Sequence, residues 1–218
     1  MERTAAKYYP VFLELTGRRC LVVGAGKVAL RKVRALLEAG AEVSLVSPEA
    51  LEELKKLVVQ GAIRWRRGEF EDGDLDGVFL VIGATDDPEV NRRVYRAADK
   101  ASRMVNIVDE PELCNFIVPS VLTRGDFQVA VSSGGASPIL ARKVREVLGY
   151  RFGPEYAVVV DELARLRREL KERVPREERR RQFWEMLIDL DFFDSLEGPE
   201  VRARIKERAE QCLSQLAD

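Results

Sequence analysis

Arg19-Cys-Leu-Val-Val-Gly-Ala-Gly-Lys-Val-Ala-Leu-Arg-Lys-Val-Arg-Ala-Leu-Leu-Glu-Ala-Gly40 decides the reading of this chain. Cys20 to Val23 is a short apolar run that ends in glycines, as a buried parallel strand does. From Val28 the apolar positions take helical spacing (Val28, Ala29, Val33, Leu36, Leu37). Gly40 then stands where a helix C′ residue would. Ala41 to Val46 supplies a second strand, which completes a βαβ unit.

The alternation continues outward. Glu49 to Gln60 reads as a helix, Ile63 to Trp65 as a short strand, and Val78 to Ile82 as the most apolar strand. Glu89 to Ser102 is helical and Met104 to Val108 is a further strand. Such alternation with short joins predicts an α/β fold with a doubly wound, mostly parallel, Rossmann-like sheet. After Pro111 the rhythm changes. Phe116 to Pro119 and Val121 to Ser132 read as strands, with a turn at Gly125-Asp126, and Ile139 to Leu148 reads as a helix. Beyond Pro154 the pattern is helical throughout, with Pro175 and Gly198-Pro199 punctuating three helices. The expected regions are 1–113 for the nucleotide-type domain, 114–150 for a small β-rich middle and 151–218 for a helical C-terminal domain.

Composition narrows the chemistry. The 218 residues carry 36 Lys and Arg against 37 Asp and Glu, so the basic footprint of a general nucleic-acid binder is absent. Histidine is missing altogether, which excludes Ser-His-Asp and Cys-His catalysis and any His-ligated metal site. No metal ligand set is expected. Cys20, Cys114 and Cys212 are too scattered for a disulfide framework and argue for a reducing, cytoplasmic setting. The first ten residues contain no apolar core of signal-peptide length, and no uncharged run is long and apolar enough to span a bilayer.

Three loops carry candidate site residues. Gly24-Ala-Gly-Lys-Val-Ala29 is G-x-G-x-x-A between a strand and a helix. Gly24 allows the tight turn, Gly26 lets a pyrophosphate reach the backbone, and Ala29 is small enough for helix–strand packing. Lys27 and Val28 begin the helix, whose N–H groups face the phosphates. The second strand ends in Val46-Ser47-Pro48 rather than in an acid, and Glu49 follows closely. Ser47 and Glu49 are the available ribose partners, and no Arg in that loop awaits a 2′-phosphate, which favours NAD over NADP. Ala84, Thr85 and Asp86 follow the fourth strand and are candidates for the nicotinamide side of the cleft, although Asp86 or Asp87 ahead of Pro88 also suits a helix N-cap. Asn106-Ile-Val-Asp109 ends the next strand, where Asp109 is either a proton acceptor or a surface turn residue. Ser132-Ser-Gly-Gly-Ala-Ser-Pro138 feeds a helix, with Ser137 as N-cap, Ser133 and Gly134 in the loop and Arg142 one turn on. Such a set suits an anionic ligand.

Tyr8-Tyr-Pro-Val-Phe-Leu-Glu-Leu, the Gly24 turn, Ala84-Thr-Asp-Asp87, Asn106-Ile-Val-Asp109, Phe116-Ile-Val-Pro-Ser120 and Val131-Ser-Ser-Gly-Gly-Ala-Ser-Pro138 together resemble the siroheme synthase N-terminal domain family. This is the precorrin-2 dehydrogenase/sirohydrochlorin ferrochelatase family. The resemblance implies NAD-dependent oxidation of precorrin-2 to sirohydrochlorin, with Fe²⁺ insertion as a second activity of some members. It implies that Asp109 is the acid/base, that Asn106 and Ser133 lie on the substrate side, and that the β-rich middle region serves a homodimer. The rival expectation is a non-catalytic NAD sensor of the potassium-uptake type. Such a module would not need the Ser-Ser-Gly-Gly loop and usually carries an acid at the end of the second strand. A small-substrate dehydrogenase is a third reading, but the tail offers no second catalytic domain with Lys and His.

Overall fold

A computed structural model describes residues 8–196 and 198–217. Residues 1–7, which the sequence reading assigns to the nucleotide-type domain, lie outside the described residues, as does the last residue of the tail. The chain divides into two compact units, one ending at Val118 and the other beginning at Pro119.

The first unit holds β1 (Arg19–Val23), α1 (Lys27–Glu38), β2 (Glu42–Ser47), α2 (Glu52–Val59), β3 (Ile63–Arg67), β4 (Leu80–Gly83), α3 (Pro88–Lys100) and β5 (Met104–Ile107). Its five strands run parallel in the order β3-β2-β1-β4-β5. The chain builds outward from β1 through β2 to β3, then returns to place β4 on the other side of β1. The carboxyl edge between β1 and β4 is therefore the topological switch point at which open α/β sheets bind ligands.

Alternation along β1 shows why both faces are covered. Cys20 and Val22 join Ala29 and Val33 of α1 in one core, while Leu21 and Val23 join Val94 and Ala98 of α3 in the other. Val22, Val33 and Val94 are completely buried. Each such side chain contributes roughly 1.5–3 kcal/mol relative to exposure.

Most boundaries shift by one or two residues, with β4 beginning at Leu80 rather than Val78, and two departures are larger. The second helix starts at Glu52 rather than Glu49, because Pro48 to Leu51 instead form a loop that the Leu51 N–H ties to the Ala25 carbonyl. Phe116 to Pro119 is not a strand. Asn115 holds the preceding segment to the sheet: its backbone N–H donates to Val105 O, its Oδ1 accepts from Val105 N–H at 2.8 Å, and its Nδ2 donates to Arg103 O at 2.8 Å.

The second unit opens with an antiparallel hairpin of β6 (Ser120–Arg124) and β7 (Phe127–Val131) around the expected Gly125-Asp126 turn. Next come α4 (Pro138–Arg151), α5 (Glu155–Arg173), α6 (Glu177–Leu187), α7 (Leu190–Asp194) and α8 (Val201–Ala217). Phe183, Leu187, Leu196 and Ile205 form the centre of their core. The tail beyond Pro154 has four helices among the described residues rather than three. Asp189 makes the extra break by capping α7, its Oδ1 accepting from the N–H groups of Asp191 and Phe192. Among the described residues no helix is long and apolar enough to cross a membrane.

Candidate functional site

The glycine turn, the end of β2 at Ser47 with the Pro48–Leu51 loop, and the Ala84–Asp86 loop enclose a cavity of about 710 Å³ at the carboxyl edge of the sheet. Gly24, Gly26, Lys27, Val28, Ser47, Pro48, Glu49, Ala84, Thr85 and Asp86 all line it. Ala29 does not; it is fully buried on the face of α1 that packs against the sheet.

The two glycines have different physical roles. Gly24 has φ +100°, and a Cβ there would sit 2.3 Å from the Ala84 carbonyl oxygen. Only glycine lets β1 turn this close to the loop after β4. Gly26 has an ordinary φ of −82°, and a Cβ on it would meet nothing within 4 Å. The space beside its backbone is open, and as N-cap of α1 it makes no side-chain bond to the helix amides. Unspent N–H groups at a helix start, facing an open cradle, fit the pyrophosphate of a dinucleotide.

At the end of β2, Ser47 is buried and its Oγ accepts from the Trp65 indole N–H at 3.1 Å. The hydroxyl hydrogen is left to donate. The Ser47–Glu49 loop has no Arg of its own, but β3 brings one to it. Arg67 pairs in register with Ser47, and its Nε donates to Pro48 O at 3.0 Å. The sequence reading missed this residue because its proximity depends on the strand register.

The loop after β4 settles the choice of cap. Asp87 Oδ1 accepts from the N–H groups of Glu89 and Val90, with Pro88 at the first helical position. Asp86 is left exposed on the cavity wall.

Asp109 is exposed in the turn after β5 and has φ +61°, a left-handed conformation. Asp tolerates that region better than most residues. Its carboxylate acts on Lys32 of α1. Burial and Arg31 hold the Lys32 ammonium below its ordinary pKa, and the charge of Asp109 opposes them. Lys32 is a second residue that the sequence reading did not single out. Asn106 is buried on β5, where its Nδ2 donates to Phe116 O at 3.0 Å and contacts Cys114 Sγ at 3.5 Å. Its side chain thus holds the 114–116 segment against the strand.

In the second unit, Ser137 caps α4, its Oγ accepting from Leu140 N–H at 3.2 Å. Ser133 Oγ accepts from Ser137 N–H at 2.8 Å. Gly134 and Gly135 have φ +63° and +89°, which already accounts for glycine at both positions. Arg142 is exposed on the first turns of α4.

A glycine turn at the switch point of a parallel sheet, with an open cradle on a helix N-terminus, defines a dinucleotide-binding α/β protein. Comparison with known proteins carries this further. Residues 11–120 match the family described as putative NAD(P)-binding, and residues 124–148 match the sirohaem biosynthesis protein central region. The chain is 44% identical over 207 residues to siroheme synthase of Methylobacillus flagellatus, covering 95% of this chain and 43% of that protein. It is 46% identical over 186 residues to siroheme synthase of Nitrosomonas europaea, covering 85% of this chain and 39% of that one. The chain thus spans about two fifths of these relatives. A solved structure of SirC, precorrin-2 dehydrogenase, superposes with a TM-score of 0.76 at 27% identity, covering 96% of this chain and 99% of that one. The chain belongs to the putative NAD(P)-binding family.

Proposed function

We propose that this chain oxidises precorrin-2 to sirohydrochlorin with NAD as hydride acceptor. The observation that carries the reading is the open cradle at Gly26 in a fold that matches a precorrin-2 dehydrogenase over nearly its whole length. Gly24, Gly26 and the first amides of α1, including those of Lys27 and Val28, would hold the pyrophosphate. Ser47, Pro48 and Glu49 would face the adenosine ribose, and Ala84, Thr85 and Asp86 the nicotinamide side. Ala29 lets α1 approach the sheet.

NAD, when bound, accepts the hydride that leaves the substrate. The accompanying proton needs a base, and the exposed Asp109 carboxylate is suited to take it. Asn106 supports this end of β5 by holding the segment that follows. In the second unit, the backbone of Gly134, the hydroxyls of Ser133 and Ser137 and the cation of Arg142 suit the carboxylates of a tetrapyrrole. The division proposed is 1–113 for dinucleotide binding, 114–150 for substrate and dimerisation, and 151–218 for the helical region.

We also assign the chain to the cytoplasm as a homodimer. Leu140, Val144 and Val147 form an exposed apolar stripe on α4, with Val121 of β6 exposed in the same unit. Such stripes suit an isologous contact. Fe²⁺ insertion is a second step in which two pyrrole protons leave as the metal enters, and Asp109 can accept protons there too.

The test is to mix the purified chain with precorrin-2 and NAD. NADH and the sirohydrochlorin spectrum should appear together. Adding Fe²⁺ to sirohydrochlorin, compared with the rate without protein, tests chelation. Tight NADH binding without turnover would replace the enzyme reading with that of a nucleotide sensor.

A further inference from the structure

We infer that Asn91 is a positioning residue that locks the Asp109 turn to the Ala84–Asp86 loop through its two amide hydrogens. The inference rests on the reading above, in which that loop faces the cofactor and Asp109 handles the proton. Asn91 lies on α3 and is 5% exposed. Its Nδ2 donates to the Thr85 carbonyl at 3.1 Å and to Glu110 Oε1 at 3.2 Å. One amide nitrogen therefore bridges the loop after β4 and the residue next to Asp109.

The orientation of the amide is fixed by chemistry. Turned over, its oxygen would face a carbonyl and a carboxylate, both acceptors. As placed, Oδ1 is buried without a hydrogen-bond partner among the described residues. It lies against Gly83, where a Cβ would come within 3.1 Å of it and within 2.5 Å of Ile107 Cδ1. A side chain that leaves its acceptor unsatisfied to keep two donors engaged is held there for those donors.

The turn needs such a hold. Asp109 is left-handed, a state that persists only where its neighbours over-determine it. On one side Val108 N–H donates to Gly83 O at 2.9 Å. On the other, Glu110 is fixed by its own N–H to Ile107 O, by Leu113 N–H on its carbonyl, and by Asn91 on its carboxylate. Of these ties to Glu110, the Asn91 contact runs back to Thr85. A proton acceptor must sit within a fraction of an ångström of its productive place relative to the hydride path, so a loosened turn costs rate more than cofactor affinity.

The test uses the full chain with Asn91→Asp, with Glu110→Ala, and with Asn91→Asp combined with Glu110→Gln. Asn91→Asp keeps the shape but sets a carboxylate against Thr85 O and Glu110. Its kcat for precorrin-2 oxidation should fall about tenfold or more, while the NADH dissociation constant stays within about threefold. Adding Glu110→Gln restores a donor between the two positions and should recover kcat at least about threefold. Hydrogen exchange in the ligand-free protein gives a readout independent of substrate. Both Asn91→Asp and Glu110→Ala should speed exchange at Val108 and Glu110, or at the residue that replaces it, and leave β1 unchanged. An unchanged kcat in Asn91→Asp overturns the proposal, as does unchanged exchange at the turn or equal acceleration in β1. Should the unaltered chain fail to oxidise precorrin-2 while the local exchange effect is present, the enzyme reading falls and the tie between Asn91 and the turn stands.

Discussion

The backbone N–H of Val108 donates to the carbonyl of Gly83 across 2.9 Å, so the turn that carries Asp109 leaves β5 already fastened to the end of β4. Gly83 is followed directly by Ala84, Thr85 and Asp86, which line the cavity at the switch point. The carboxylate proposed to handle the proton and the wall proposed to face the nicotinamide are therefore set by adjacent strands of one rigid sheet.

The two motif glycines should respond differently to a methyl group. Gly24→Ala combines a left-handed φ with a 2.3 Å approach to Ala84 O, so it should destabilise the fold by about 2 kcal/mol or more. Gly26→Ala meets no protein atom within 4 Å. It should unfold at the same temperature as the parent yet bind NADH about tenfold or more weakly, because the methyl group enters the cradle. Thermal unfolding and NADH titration of both variants check this.

Arg67 bears on the choice between the two dinucleotides. Its Nε is engaged with Pro48 O, at the end of the cavity assigned to the ribose. Arg67→Ala should weaken NADPH about tenfold while changing NADH by no more than about twofold, since only the former offers a 2′-phosphate to the guanidinium. Parallel titrations with the two reduced cofactors measure it.

Cys20 predicts an alkaline weakness of the first unit. Burial pushes its thiol from an ordinary value of 9.0 up to about 11. The folded state then keeps a proton that the unfolded state releases. The stability contributed by this thiol is complete below pH 9 and is lost as pH rises from about 9 to about 11, about 3 kcal/mol in all. Urea unfolding between pH 8 and 10 should show that slope, and Cys20→Ala should flatten it whatever its stability at neutral pH.

Much of this was legible in the residues, and the limits have physical causes. The β1–α1–β2 unit announced itself because a strand buried on both faces and an amphipathic helix differ in period, and the Gly24 turn lies between them. The cavity residues followed from position, since the loops after β1, β2 and β4 converge at one edge. Local pattern could not choose between Asp86 and Asp87 as the cap, nor foresee that Pro48 to Leu51 would be drawn out as a loop tied to Ala25. Phe116 to Pro119 has strand-like composition, yet Asn115 supplies the edge contacts in its place. Arg67, Lys32 and Asn91 were invisible because their partners at Pro48, Asp109 and Glu110 lie 19 residues away or farther and meet only through the sheet.

The most direct test of the central claim compares the parent chain with Asp109→Asn under saturating NAD and precorrin-2. Asn keeps the left-handed backbone at little cost and removes the proton acceptor. The account predicts stoichiometric NADH and sirohydrochlorin from the parent, and a rate at least about a hundredfold lower from the variant with NADH affinity intact. Equal turnover by the two proteins would contradict it.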